Sequence, residues 1–264
     1  GDILWQYDHA RPQDVAPTLQ RAIALYDDKL LVPTSDGHVI ALNVKNGKLL
    51  WDAVVGESGT ARRQVRGGGP LVANGKVMMG TTGRAPGGNV IVGLDAATGR
   101  EVWRFNTIAQ PGELNDSWNG LPSEQRNGGS VWTPGSYDAA LDLAFFGPAP
   151  TYDTAPLLRP VPDESNDALY TNATVALDPE TGKLVWHFQH VPNDQWDLDW
   201  AFERQVIMLP INGANRKVVV TMGKQVVLDA VDAATGQYLF SHDSGLQNII
   251  ETIDPKTGEK RINP

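Results

Sequence analysis

The segment ALNVKNGKLLW at residues 41–51 decides the fold, because its pattern occurs three more times along the chain. Each copy has apolar residues, an Asp or Asn, two further residues, a Thr-Gly or Asn-Gly pair, three residues and an aromatic side chain. The other copies are GLDAATGREVW at 93–103, ALDPETGKLVW at 176–186 and AVDAATGQYLF at 230–240, and IDPKTGEK at 253–260 is a weaker echo. Self-similarity at this scale predicts a row of repeated supersecondary units.

Each copy has the composition of a β-hairpin. An alternating strand such as residues 37–42 is followed by a glycine-containing turn and by a second strand that ends on the aromatic residue. A further apolar strand precedes the hairpins, for example at residues 29–33. If Trp5 ends an earlier copy, the aromatic ends are 46, 52, 83 and 54 residues apart. This spacing predicts β-propeller blades of about 40 to 50 residues, with the aromatic rings filling the gaps between neighbouring blades.

The chain is therefore predicted to be all-β, a single partial propeller domain over residues 1–264. We expect about four to five blades, each a four-stranded antiparallel sheet, and a long inter-blade insertion at about residues 104–170 that carries substrate-side loops. A partial ring leaves two raw sheet edges, so the remaining blades are expected from another segment or a second chain. Because the sequence begins inside a copy of the repeat, at Gly1, we expect a fragment, or a mature chain that lacks its start.

Composition excludes several kinds of partner. The formal net charge of −9 disfavours binding to nucleic acid or to an anionic membrane surface and favours a small neutral substrate. No apolar run approaches the about 20 residues that span a bilayer, and residues 1–20 lack the layout of a signal peptide. Because the chain has 0 Cys, it can form neither disulfides nor thiolate metal sites, and it has no haem attachment motif.

The segment PNDQWDLDW at residues 192–200 is the most specific stretch outside the repeats. It resembles the segment of pyrroloquinoline quinone (PQQ) dependent dehydrogenases, the methanol and ethanol dehydrogenase group, in which a Trp-Asp pair supplies the catalytic carboxylate. The resemblance implies an eight-bladed β-propeller with Asp197 as catalytic base. A carboxylate beside a dry aromatic wall, here Trp196 and Trp200, suits the removal of a hydroxyl proton. The alternative is that these aspartates are ordinary turn residues.

The segment NGGSVWTPGSYD at residues 127–138 is similar to the family's Gly-Gly-(Ser/Thr)-x-Trp stretch. The resemblance implies that Trp132 lies flat against the PQQ ring and that Ser130 hydrogen-bonds a cofactor oxygen. A flat tricyclic quinone needs such a surface for stacking and for the exclusion of water. The alternative is that Trp132 is another ring packed between blades.

Two further segments resemble places where the family holds the carboxylates of PQQ. PTLQRAIALYDDKLLVPTSDG at 17–37 is similar to the segment whose arginine contacts one carboxylate, which implies this role for Arg21. The loop at 80–83 is similar to one whose hydroxyl and backbone amides hold another carboxylate, which implies cofactor contacts for Thr82 and Gly83. Single residues of these types are ordinarily surface or turn residues, and that interpretation stays open for each.

Lys224, in VVVTMGKQVVLDAVD at 218–232, occupies the place of a basic residue that polarises the quinone oxygens in the family. The resemblance thus assigns Lys224 both a cofactor-binding and a catalytic role. As with the other single residues, the alternative is an ordinary surface lysine.

The expected metal site departs from the family pattern. The resemblance implies a Ca²⁺ ion that withdraws electrons from the quinone carbonyl. However, residues 84–88 contain no counterpart of the metal-binding glutamate, and residues 146–150 replace the metal-binding asparagine. Asp197 and Asp199 remain as metal-side carboxylates, and their spacing resembles the extra ligand of lanthanide-using relatives. The identity of the metal is left open, and the departure favours a sugar-oxidising or polyol-oxidising branch.

These resemblances together predict oxidation of a primary alcohol, polyol or sugar by hydride transfer to PQQ, with Asp197 as base. The electron acceptor is expected to be separate, a cytochrome c or a quinone, and the family resemblance implies a periplasmic location. The alternative is a non-catalytic scaffold of PQQ-like repeats, as in the outer-membrane assembly lipoprotein. A scaffold predicts that Asp197 lies on an exposed turn and that the ring centre lacks a flat cavity.

Overall fold

The computed structural model of this chain describes residues 1–17, 22–56, 68–153 and 155–263. In these ranges the chain is almost entirely β-structure, with 18 strands and two short 3-10 helices, Ser123–Gln125 and Ala155–Leu157. This confirms the all-β prediction. The described part of the chain contains no helix of the length and hydropathy that a membrane span requires.

Four antiparallel sheets of four strands each follow one another along the chain. The first contains β1 (Ala24–Tyr26), β2 (Lys29–Pro33), β3 (His38–Asn43) and β4 (Leu49–Val54). The second contains β5 (Leu71–Ala73), β6 (Lys76–Gly80), β7 (Val90–Asp95) and β8 (Glu101–Asn106). The third contains β9 (Ser136–Asp138), β10 (Leu143–Phe146), β11 (Ala173–Leu177) and β12 (Leu184–Gln189). The fourth contains β13 (Gln205–Ile211), β14 (Ala214–Met222), β15 (Val227–Asp232) and β16 (Tyr238–Asp243).

A fifth, two-stranded sheet pairs β17 (Ile250–Ile253) with β18 (Lys260–Ile262). Strands that are consecutive in the chain are neighbours in every sheet, as in propeller blades. Four complete sheets and the start of a fifth confirm the predicted number of four-stranded blades.

The middle strands of the sheets are apolar along most of their length because both of their faces are covered. Five of the six residues of β7 are buried, and the last is half-buried. The fourth strand alternates instead: in β4, Trp51 and Ala53 are buried while their neighbours are exposed. Clusters of buried apolar side chains join the first sheet to the second, the second to the third and the third to the fourth. The core is therefore a series of layers between blades.

The Asp-x-x-Thr-Gly part of the repeat is a turn that its aspartate stabilises. Asp95 Oδ1 accepts hydrogen bonds from the backbone nitrogen of Thr98 at 2.9 Å and from its hydroxyl at 2.7 Å. Gly99 closes the turn with a φ of 74°. Asp178 and Asp232 accept the corresponding backbone hydrogen bonds in their own copies. Glycine adopts this left-handed conformation without the steric cost of a Cβ, which explains why the pattern ends in Gly.

The repeat tryptophans pack on the turn glycine of the next copy. A Cβ on Gly99 would lie 2.6 Å from the ring of Trp51, whose Nε1 also donates a hydrogen bond to the Ala96 carbonyl at 3.1 Å. The same arrangement recurs as Trp103 on Gly182 and Trp186 on Gly236. The rings therefore fill the gaps between neighbouring blades, as the sequence predicted.

The stretch at 104–170 is not irregular throughout, because β9 and β10 lie inside it and begin the third sheet. The segments between strands are residues 107–135 and 147–172. The first carries Ser130 and Trp132, and the second carries Tyr152, so both loops contribute to the site described next.

Candidate cofactor and substrate site

The turn at residues 192–200 is organised by a buried carboxylate, Asp194. Its Oδ1 accepts a hydrogen bond from the backbone nitrogen of Trp196 at 2.8 Å, and its Oδ2 accepts one from Leu198 at 2.7 Å. Asn172, also buried, donates to Asp194 Oδ2 at 2.7 Å and accepts from the backbone nitrogen of Trp200 at 3.1 Å. These contacts define the conformation of the segment that carries the proposed catalytic base.

Asp197 and Asp199 project from this turn and share one cation. The Lys224 Nζ lies 2.9 Å from Asp197 Oδ2 and 2.8 Å from Asp199 Oδ2, and it donates to the Asp197 carbonyl at 3.0 Å. The three side chains differ in exposure, at 57% for Asp197, 9% for Asp199 and 43% for Lys224. The structure thus brings together three of the residues that the sequence singled out, and it places Asp197 on an exposed turn.

The environment raises the pKa of two members of this group. Burial raises the pKa of Asp199 above its ordinary value, and the nearby Asp197 adds to this effect, although Lys224 opposes it. The pKa of Lys224 is raised as well, because hydrogen bonds to both aspartates outweigh the opposing effect of burial. Lys224 is therefore held in its charged form.

Ser130 contacts the loop that follows β6. Its hydroxyl is buried and accepts hydrogen bonds from the backbone nitrogen of Gly83 at 3.2 Å and from Asn89 Nδ2 at 3.3 Å. Burial raises the pKa of Tyr152 above its ordinary value, and the negative charges of Asp199 and Asp197 add to this effect.

Trp132 differs from the repeat tryptophans in its surroundings. It is half-buried, and its ring packs edge-on against Phe202 with centroids 5.3 Å apart and planes at 86°. Phe202 and Lys224 line one open cavity of about 510 Å³, together with Thr221 and Met222. The Phe202 contact distinguishes Trp132 from the repeat tryptophans, which pack on turn glycines.

The remaining predicted cofactor residues have the following positions. Gly83 follows the end of β6 with a φ of 115° and directs its amide to Ser130. Thr82 is buried beside it. Arg21 lies outside the described residues.

Trp200, which the sequence predicts as part of an aromatic wall beside Asp197, lies at the end of the aspartate turn. Its indole is completely buried, stacked on His190 with ring centroids 4.4 Å apart and planes at 2°. The ammonium of Lys260 lies 4.9 Å from the same ring. Trp196, whose side chain is largely exposed, is the nearer candidate for a surface beside Asp197.

Behind Trp200 lies a buried polar cluster that the sequence did not predict. His190 Nδ1 and Lys260 Nζ both contact Asp229 Oδ2, at 2.7 and 2.6 Å. Burial lowers the pKa of His190 to about 4. Although burial opposes it, hydrogen bonds from His190 and Lys260 hold the pKa of Asp229 below its ordinary value. This cluster supports the ring that ends the aspartate turn.

The donor set does not fit a Ca²⁺ ion, which takes about six to eight oxygen ligands. Both carboxylates of the turn have an oxygen bound to Lys224. Arg84 lies beside Tyr152, with Nη2 at 3.5 Å from the Tyr152 carbonyl oxygen and Cζ at 5.9 Å from the Tyr152 ring centre. In residues 1–17, 22–56, 68–153 and 155–263 no group of three or more His, Cys, Asp or Glu side chains is arranged to hold a metal.

Comparison with known proteins agrees with the fold. The family model described as the β-propeller domain of glucose, ethanol and alcohol dehydrogenases matches residues 63–243. The chain belongs to this quinoprotein dehydrogenase family. A second model, described as outer membrane protein assembly factor BamB, matches residues 1–84.

Several relatives cover the whole of this quinoprotein propeller chain. It is 34% identical to the dehydrogenase subunit of the quinone alcohol dehydrogenase of Gluconacetobacter polyoxogenes, over 100% of this chain and 39% of the relative. It is 33% identical to quinohemoprotein alcohol dehydrogenase ADH IIB of Pseudomonas putida, over 98% of this chain and 39% of the relative. The chain therefore spans about two fifths of the length of the curated relatives it matches.

Solved structures show the same propeller segment. A europium-containing methanol dehydrogenase superposes with a TM-score of 0.84 at 25% identity, covering 100% of this chain and 49% of that one. Quinohemoprotein alcohol dehydrogenase ADHIIG of Pseudomonas putida superposes with a TM-score of 0.81 at 28% identity, covering 93% of this chain and 37% of that one.

The sequence of this quinoprotein chain did not reveal the residues that hold the candidate site residues in position. Asp194 stood in the quoted segment, and its position two residues before Trp196 is typical of a side chain that caps a turn. Asn172 and Asp229 gave no signal, because their partners lie 22 and 39 residues away in the chain.

Proposed function

We propose that this chain provides the cofactor and substrate side of a PQQ-dependent dehydrogenase that oxidises a primary alcohol. The proposal is supported above all by the meeting of Asp197 and Asp199 with Lys224, which comes from a separate segment of the chain. The names of the relatives, which are quinone-dependent and quinohemoprotein alcohol dehydrogenases, support the same reaction class. Polyols and sugars remain part of the proposed substrate range.

The residues present fit a flat, anionic cofactor. Trp132 offers a half-buried indole for stacking, and the buried Ser130 hydroxyl is placed to hydrogen-bond a cofactor oxygen. Thr82, Gly83 and Arg21 are proposed to hold its carboxylates, and Lys224 is proposed to face its quinone oxygens. When bound, PQQ supplies an electrophilic quinone that accepts a hydride from the substrate carbon.

Asp197 is proposed to accept the hydroxyl proton of the substrate. Its Oδ2 receives a hydrogen bond from Lys224, so Oδ1 is the proposed acceptor atom. The positive charge of Lys224 compensates the negative charge of the two carboxylates while the proton moves. It thereby reduces the repulsion between them. Because Asp197 is 57% exposed in this chain, we propose that cofactor, substrate and further propeller blades exclude water from it.

The electrons are proposed to leave for a separate acceptor, a cytochrome c or a quinone. A periplasmic location is proposed on the family resemblance. Both proposals concern the whole protein, of whose relatives this chain spans about two fifths.

Replacement of Asp197 with asparagine tests the assignment of the base. In the natural polypeptide loaded with PQQ, we expect Asp197→Asn to lower kcat for alcohol-driven dye reduction by about 100-fold to 10,000-fold, with PQQ binding retained. Asp163→Asn is a matched control, because Asp163 is also exposed and has a similar left-handed φ, 66° against 60° for Asp197. Unchanged kcat in Asp197→Asn would reject Asp197 as the base.

A second candidate is a non-catalytic scaffold built from the same repeats. The exposed position of Asp197 favours it, since a scaffold predicts a turn carboxylate there. Fluorescence titration with PQQ separates the two functions: quenching of tryptophan emission at micromolar PQQ supports the dehydrogenase. No quenching and no dye reduction with any alcohol or sugar supports the scaffold.

A further inference from the structure

We propose that Lys224 takes the place of a metal ion in this site, so that the site binds neither Ca²⁺ nor a lanthanide ion. The inference rests on the proposed function, because it concerns the source of positive charge beside the cofactor. It departs from the Ca²⁺ ion that the family resemblance implies.

The first argument is the position of the Lys224 ammonium. It contacts one oxygen of each carboxylate, at 2.9 Å for Asp197 and 2.8 Å for Asp199. A cation bridging these two carboxylates would have to occupy the same point. The ammonium therefore competes with any metal for these carboxylate oxygens.

The second argument is the number of oxygen donors. Ca²⁺ and lanthanide ions are hard cations that need about six or more oxygen ligands, with several of them charged. Asp199 Oδ1 is buried without a hydrogen-bond partner and is one available donor. The described residues provide no third carboxylate or histidine to complete a set around it. Lys224 leaves one oxygen of Asp199 and one of Asp197 without contact to it. These two carboxylate oxygens are too few to displace the lysine from its two partners.

The third argument is the local charge. Two carboxylates face one cation, the Lys224 ammonium. The ammonium compensates one of the two negative charges, which weakens the attraction of the pair for a divalent or trivalent ion. A metal added here would also be repelled by this ammonium.

Terbium luminescence tests the inference without depending on enzyme activity. Trp196, next to Asp197, sensitises the emission of a Tb³⁺ ion held by the aspartates. In the natural polypeptide, we expect no sensitised emission beyond that of the Asp199→Asn variant at micromolar Tb³⁺. Lys224→Met leaves the two carboxylates without their cation, and we expect its Tb³⁺ affinity to rise at least 10-fold.

Lys217→Met is the matched control. Lys217 lies in the same strand, β14, and pairs with Asp138 at 2.8 Å, so its loss frees a carboxylate away from the site. We expect no gain of site emission in this variant. A second variant, Lys224→Gln, removes the same charge with a shorter polar side chain and is expected to raise Tb³⁺ affinity even if Lys224→Met fails to fold.

Stoichiometric Tb³⁺ emission from the unmodified protein that disappears in Asp199→Asn would overturn the inference. In the same preparation, dye reduction by the PQQ-loaded protein is expected to change less than 2-fold after exhaustive treatment with EDTA. Activity that requires re-added Ca²⁺ or a lanthanide would also overturn it. Absence of dye reduction under every condition would instead contradict the proposed function, and the luminescence result would still decide the question of metal binding.

Discussion

Replacing Asp194 with alanine tests whether one buried carboxylate holds the 192–200 turn in place. The change removes the acceptor of three hydrogen bonds. Trp196 is exposed, so its backbone nitrogen can turn to water, but Leu198 and Asn172 are buried and lose their acceptor. A buried donor without a partner costs about 1 to 3 kcal/mol. Two such donors predict a loss of about 2 to 6 kcal/mol in the free energy of unfolding.

Urea denaturation of the natural polypeptide measures this loss, and hydrogen exchange of the amides at 196–200 locates it. Asp163→Ala is the control, because Asp163 is an exposed aspartate outside the strands. We expect faster exchange at 196–200 in Asp194→Ala and a lower kcat, since the turn carries Asp197. A loss below about 0.5 kcal/mol, with unchanged exchange at 196–200, would refute the role given to Asp194.

Two further predictions address packing and pH. Gly99 and Gly75 have similar φ values, 74° and 69°, but a Cβ would lie 2.6 Å from Trp51 at Gly99 and would meet nothing within 4 Å at Gly75. Gly99→Ala should therefore lower the free energy of unfolding by about 2 kcal/mol more than Gly75→Ala, as measured by urea denaturation. For His190, burial lowers the pKa from 6.5 to about 4, so between these pH values the unfolded chain binds a proton that the folded chain does not. Stability should fall by about 3 kcal/mol as pH drops through this window, and the fall should be absent in His190→Gln; parallel pH profiles for the two proteins would contradict this.

The fold was predictable because its information is local and repeated. The Asp-x-x-Thr-Gly turn needs only the side chain of Asp95 and the conformation of Gly99, both within a few residues of each other. The tryptophan that follows each turn docks on the glycine of the next copy, so the repeat also encodes the contact between blades. The stretch at 104–170 was harder, because β9 and β10 are short and lack the repeat signature.

The candidate site was predictable only in part, because its residues were recognised singly. Asp197 and Lys224 were chosen from two segments by resemblance, and their contact depends on how the chain folds. Tyr152, whose pKa the two aspartates influence, lies in an irregular loop without any periodic signal. The stacking of the buried Trp200 indole on His190 also gave no signal in the sequence.

The contact between Lys224 and the two aspartates illustrates why a family role cannot be transferred one residue at a time. The resemblance assigns a lysine to the quinone oxygens and an Asp-x-Asp pair to a metal. The two roles are compatible only if the lysine does not contact the carboxylates. Here the ammonium lies within 2.9 Å of both. The Lys224 ammonium therefore compensates one of the two carboxylate charges at the point where a metal ion would have to sit.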